Sequence, residues 1–157
     1  MIIISESGLK RFFDKRIRQV SYDKIVEVLC TQIVNSHQNH SKGLVLFGLK
    51  TGGDILSKRL EIYLDKEGLD VKRLPITIYQ TGRVGECFDR IADEYLRDRY
   101  VIGVDDALWT GGHRDAFYRH MERHKEGYGF VGRPLFAVIF DSIGDADFSY
   151  MKVSSDE

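Results

Sequence analysis

Tyr100-Val-Ile-Gly-Val-Asp-Asp-Ala-Leu-Trp-Thr-Gly-Gly-His113 decides the fold. It opens with an apolar run, Tyr100 to Val104, of the length of a buried strand. Two adjacent carboxylates follow, Asp105 and Asp106, and Thr110-Gly111-Gly112 then opens a helix. Glycine lets backbone approach a ligand closely, and a helix N-terminus presents unpaired N–H groups to an anion. Asp105 and Asp106 can take ribose hydroxyls, or hold Mg²⁺ through oxygens and waters. An ordinary strand-to-helix turn contains the same residue types, so alone the stretch carries two readings.

A second stretch of the same kind lies upstream. Gly43-Leu-Val-Leu-Phe-Gly48 reads as a buried strand, and Leu49-Lys50-Thr51-Gly52-Gly53 follows at once. Leu56, Leu60, Tyr63 and Leu64 mark one face of the next helix, which Gly68 ends. A cation, Lys50, stands in this turn where the other has acids. Backbone N–H groups here can hold an anion, with Lys50 adding charge. Two such loops in one small chain suggest two halves of one ligand.

Together these stretches resemble the type I phosphoribosyltransferases. Residues 100–113 are similar to that family's motif for phosphoribosyl pyrophosphate (PRPP): a hydrophobic strand, two acids, three variable residues, Thr-Gly, a variable residue and a hydroxyl residue. His113 stands where the hydroxyl is usual. Gly48 to Leu56 resembles the pyrophosphate loop of uracil phosphoribosyltransferases that double as pyrimidine-operon attenuators. The resemblance covers about residues 40 to 140.

It implies the following roles. Asp105 and Asp106 hold the ribose hydroxyls, directly or through Mg²⁺ and water. The backbone of Ala107, Leu108, Trp109, Thr110, Gly111 and Gly112, the Thr110 hydroxyl and His113 hold the 5′-phosphate, unless His113 points to solvent and only caps the turn. Lys50, Thr51, Gly52 and Gly53 hold pyrophosphate, and Arg83 reaches it from a flap, unless Arg83 is simply an exposed loop arginine. The implied partners are PRPP and a nucleobase-like small molecule, in a cytoplasmic homo-oligomer. The implied reaction is phosphoribosyl transfer with release of pyrophosphate. The alternative is a non-catalytic PRPP-sensing regulator or an RNA-binding attenuator.

Between and around the loops, the chain reads as alternating strands and helices. Ile2 to Ile4 reads as a short edge strand. Ser21 caps a helix bearing Tyr22, Val26, Leu29 and Ile33, and Asn35 to Ser41 reads as a loop. His37 and His40 lack the partners a metal site needs. Leu74 to Tyr79 alternates as a strand, with Pro75 placing it near an edge. Gln80 to Gly85 is a loop, and Phe88, Ile91, Ala92, Tyr95 and Leu96 predict a packed helix over 86–97. After the helix bearing Phe117 and Met121, Leu135 to Phe140 is a strand ending in Asp141. The resemblance implies that the tail, 142–157, forms a small C-terminal hood. Where the attenuator relatives carry a basic run after this Asp, the chain has Ser-Ile-Gly-Asp-Ala-Asp. The expected fold is α/β, a mainly parallel central sheet with helices on both faces, in one domain over 1–157.

Composition sets outer bounds. A chain of 157 residues, 43% apolar and 30% charged, suits one globular domain. A net charge of −1 gives no overall reason for nucleic-acid binding. No apolar run approaches a membrane span, and five opening residues are too few for a signal core. Cys30 and Cys87 read as free thiols. Residues 10–18 carry five basic side chains among nine. They make either a patch for RNA or a solvated face covering Phe12, Phe13 and Ile17, and the near-neutral chain favours the second. No Gly-x-Gly-x-x-Gly follows a strand, which argues against a generic dinucleotide binder.

Overall fold

The computed structural model describes residues 2–5, 22–37, 42–50, 52–79, 81–85 and 95–154. The basic segment 10–18, Ser21, His40, Thr51, Cys87 and most of the helix expected over 86–97 lie outside them. The strands are β1 (Ile2–Ser5), β2 (Leu44–Leu49), β3 (Val71–Ile76), β4 (Tyr100–Leu108), β5 (Leu135–Asp141) and β6 (Phe148–Ser154). The helices are α1 (Tyr22–His37), α2 (Gly52–Lys66), α3 (Gly112–Arg123) and the single turn α4 (Lys125–Tyr128). All six strands are parallel, in the order β1-β6-β5-β4-β2-β3.

The central strands are apolar on both faces because helices cover both. Leu44, Leu46, Ile102, Val104 and Ala137 join Val26, Leu29 and Ile33 of α1 and Leu56, Leu60 and Leu64 of α2 in one cluster. Their alternating neighbours Val45, Phe47, Val101, Phe136 and Val138 face the other way, onto Phe117 and Met121 of α3, Tyr128 and Leu96. Gly103 belongs to this second face. A Cβ there would come within 2.8 Å of both Phe117 and Phe136, so only glycine lets the rings close over the strand.

Several expectations shift. The helix runs through Asn35 and Ser36 to His37, which is buried and uses Nδ1 against the Ile33 carbonyl at 3.0 Å. β3 begins at Val71 and ends at Ile76, earlier than the alternation suggested, with Ile78 and Val84 bridging a separate antiparallel hairpin. It is an edge strand, as Pro75 predicts. The tail is the largest change. Over Phe148–Ser154 it does not leave the sheet to build a hood but lies between β5 and β1. β1 reaches only as far as Met151, and beyond it the Gln32 side chain takes the place of a strand. Its amide donates to the Ser149 carbonyl at 2.9 Å and its oxygen accepts from the Ser149 N–H at 3.1 Å.

Candidate active site

The site forms where two neighbouring strands part. β2 and β4 pair from Leu44↔Tyr100 to Gly48↔Val104 and no further. Beyond that rung β2 stays with β3, through Leu49↔Ile76 and the Lys50 N–H on the Ile76 carbonyl. β4 stays with β5, through Ala107↔Phe140 and Leu108↔Asp141. The chain leaves β2 towards β3 and leaves β4 towards β5, in opposite directions, with α2 and α3 on opposite faces. A crevice opens at this reversal, at the carboxyl ends of the strands, where open α/β sheets bind ligands.

Both predicted loops border that crevice. Glycines 52 and 53 let the N-terminus of α2 press against β4. A Cβ on Gly53 would lie 2.0 Å from the Val104 carbonyl oxygen, and one on Gly52 would lie 2.5 Å from Oδ2 of Asp106. Gly52 and Gly53, read as pyrophosphate-binding, are therefore packed against Asp106 and Asp105, read as ribose-binding. Lys50 is exposed at the mouth. Arg83 is exposed in the 78–84 hairpin, its guanidinium 5.2 Å above the Tyr79 ring. Among the described residues no contact joins it to Lys50 or the acids.

The two carboxylates have different surroundings. β4 continues through them to Leu108, rather than ending at Val104 as the apolar run suggests. Alternation along the strand then buries Asp105 and exposes Asp106. Asp105 Oδ1 accepts the Asp106 N–H at 2.8 Å, and Oδ2 lies 3.3 Å from Nδ1 of His113. Burial pushes the Asp105 carboxyl up to about 6, Asp106 adds to the rise, and the Asp106 N–H and His113 oppose it. Asp106 Oδ1 accepts the Ala107 N–H at 2.8 Å, leaving Oδ2 towards Gly52.

The turn from β4 into α3 is a cavity in itself. Ala107, Leu108, Trp109, Thr110, Gly111, Gly112 and His113 line about 150 Å³. Gly111 precedes the helix at φ 81°, a conformation glycine tolerates best. The first turn of α3 closes with the Asp115 N–H on the Gly111 carbonyl. The N–H groups of Gly112 to Arg114 thus lack a preceding helical turn to bond, though Thr110 Oγ1 lies 3.4 Å from that of Gly112. Ala107 and Leu108, by contrast, belong to the strand and are paired with β5.

Sequence reasoning missed the supports. The Ser142 hydroxyl lies 2.7 Å from the Leu108 carbonyl and 2.8 Å from that of Trp109, anchoring the loop from the β5 side. Asp141 is fully buried and accepts the N–H groups of Gly144, Asp145 and Ala146. Asp145 pairs with Arg114 at 3.0 Å, and Asp147 binds Arg133, Tyr118 and the Phe136 N–H. The acids standing where a basic run was expected thus have structural partners. An Asp at a strand end followed by Ser and Gly was the available signal.

A cation fits this donor set in one way. No group of three or more His, Cys, Asp or Glu side chains among the described residues can cage a metal. Mg²⁺ commonly uses one or two carboxylates together with water and substrate phosphates, and Asp106, with Asp105 behind it, offers that.

The architecture and the two loops define a type I phosphoribosyltransferase fold. The 1.4 Å crystal structure of hypoxanthine phosphoribosyltransferase from Trypanosoma cruzi superposes with a TM-score of 0.65 at 14% identity, covering 83% of this chain and 75% of that one. The same enzyme in complex with the product IMP gives 0.64 at 15% identity, covering 83% and 74%. In sequence the chain is similar to the Bifunctional protein PyrR of Macrococcus caseolyticus (strain JCSC5402), 34% identical over 110 residues that cover 62% of this chain and 61% of that protein. The PyrR of Alkaliphilus metalliredigens (strain QYMF) is 35% identical over 79 residues, covering 45% and 43%. The chain thus matches less than two thirds of the length of these curated relatives. No family model matches it. Among the described residues no helix is long and apolar enough to cross a membrane.

Proposed function

We propose that this protein binds PRPP with Mg²⁺ and transfers its phosphoribosyl group to a nucleobase or related heterocycle, releasing pyrophosphate. The observation that carries the reading is the contact of Gly52 with Asp106 across the crevice between β2 and β4. It sets an anion loop with a lysine beside a carboxylate pair, and an N–H-rich cavity lies beyond them. PRPP has that sequence of groups: pyrophosphate, ribose hydroxyls, 5′-phosphate. Lys50 and the start of α2 would face the pyrophosphate, Asp105 and Asp106 the hydroxyls, and Thr110 to His113 the 5′-phosphate. Arg83 and Thr51 are proposed second contacts on the pyrophosphate side.

In this reaction a base nitrogen forms a bond to ribose C1 as the bond from C1 to the pyrophosphate oxygen breaks. The ring carries positive charge in between, and the carboxylates would stabilise it across the hydroxyls. Asp106, with Asp105 behind it, would hold Mg²⁺ together with water and substrate oxygens, and the ion would supply charge neutralisation for the departing pyrophosphate. The protein's share is then positioning and electrostatics. A cytoplasmic homo-oligomer is part of the proposal.

A second reading is a PRPP-sensing regulator without turnover. It is favoured by the loop after β5, whose acids hold the protein's own Arg114 and Arg133 where the attenuator-type resemblance implies a basic run. Pyrophosphate release measured across a panel of bases, beside PRPP binding by calorimetry, separates the two. Release with one base supports the transferase. PRPP binding with no release from any base supports the regulator, and absence of PRPP binding overturns both.

A further inference from the structure

Trp109 is the single tryptophan of the chain, and it is 57% exposed. It stands in the middle of the phosphate loop and lines the same cavity as Thr110 to His113. An indole here sets a large apolar surface beside a polar site. It is supported from two sides. The ring leans on Phe140 with centroids 4.8 Å apart, and Phe140 is itself buried with Tyr150 and Met151. The Ser142 hydroxyl holds the Trp109 carbonyl. Ile143, 41% exposed, touches the same loop where its Cδ1 approaches Gly111. An anion cavity thus carries an aromatic and an aliphatic side chain on its β5 border.

We propose that Trp109 is the specificity-determining residue for the ring of the ligand: an indole face on which an aromatic heterocycle attached to the phosphoribosyl group stacks. Aromatic side chains stack on bases with little regard to hydrogen-bonding pattern, because every base has a π face. The ligand class is then a nucleoside 5′-monophosphate or the heterocycle that becomes one, selected more by its ring than by charge. The inference rests on the proposed function, since it takes Thr110 to His113 as the 5′-phosphate site.

The test uses the full chain with ribose 5-phosphate, uridine 5′-monophosphate and inosine 5′-monophosphate as probes. Calorimetry gives the ratio of nucleotide to ribose 5-phosphate affinity for the wild type, Trp109→Leu and Trp109→Tyr. Because Trp109 is the sole tryptophan, its fluorescence reports on the wild type directly. Expected is a ratio of about tenfold in the wild type, a ratio near one in Trp109→Leu, and most of the preference kept in Trp109→Tyr. Both nucleotides, but not ribose 5-phosphate, should quench the indole. If ribose 5-phosphate binds and the ratio is the same in all three proteins, the stacking role is overturned while the phosphate site stands. If ribose 5-phosphate does not bind the wild type, the phosphate site fails and the inference fails with it.

Discussion

Nδ1 of His113 lies 3.3 Å from Oδ2 of Asp105, so the first residues of α3 reach back to the buried carboxylate of β4. Position 113, read from the sequence as a phosphate contact, is thereby tied to Asp105, read as a ribose contact. The exposed imidazole thus gives the buried Asp105 carboxylate a partner on its solvent side.

That setting makes stability depend on pH. The Asp105 carboxyl is pushed up to about 6 by burial and by Asp106, above the ordinary value of about 4. The folded state therefore keeps the proton longer than the unfolded state does. Ionisation costs stability as pH rises from about 4 to about 6, and the cost is constant above that. Asp105→Asn should accordingly stabilise the ligand-free protein at pH 7, by ~1–3 kcal/mol, with the advantage vanishing towards pH 4. Urea unfolding at pH 4, 5.5 and 7 measures it, and a difference that does not change with pH would count against the buried, protonatable carboxyl.

Gly53→Ala should destabilise the fold by ~2 kcal/mol or more, because its Cβ would meet the Val104 carbonyl at 2.0 Å. The usual helix-propensity gain of alanine over glycine, about 1 kcal/mol, is too small to offset this. Gly127, in the short α4, is the control: a Cβ there meets nothing within 4 Å, and Gly127→Ala should be neutral or slightly stabilising. Thermal melts of the two variants compare them directly. Equal melting temperatures would mean that α2 does not press on β4 as described.

Lys50→Ala should weaken pyrophosphate binding by about tenfold while affecting ribose 5-phosphate much less, since Lys50 stands in the β2 loop and the phosphate cavity lies beyond β4. Calorimetry with each ligand decides it. Equal losses would mean the two loops have been given the wrong halves of the ligand.

The two loops were legible because each has a local signature: an apolar run, then glycines, then a helical stripe. Two such loops in one small chain suggest a shared ligand, but nothing local in residues 43–53 specifies that β4 will lie beside β2. What stayed hidden depended on distant partners. β4 outruns its apolar segment because β5 continues beside it, so Asp105 and Asp106 are strand residues with opposite burial. The resemblance implies a hood for the tail, yet Phe148, Tyr150 and Met151 are buried in a strand between β5 and β1, and Gln32, 117 residues from Ser149, bonds its backbone. Gly52 and Gly53 were read as ligand-facing turn residues, and only the fold shows that the strand behind them leaves no room for a side chain. His113 was read against a phosphate because the motif places it there. Its contact with Asp105 follows from the turn at Gly111, which fixes how α3 leaves the strand.

The central claim is that the crevice between β2 and β4 is a PRPP site, and calorimetric titration of PRPP with Mg²⁺ into the wild type and Asp105→Asn/Asp106→Asn tests it most directly. The account predicts saturable binding to the wild type that weakens when Mg²⁺ is removed, and a loss of about tenfold or more in the double variant, whose melt shows it folded. A folded double variant that binds PRPP as tightly as the wild type, or a wild type that does not bind it, would contradict the account.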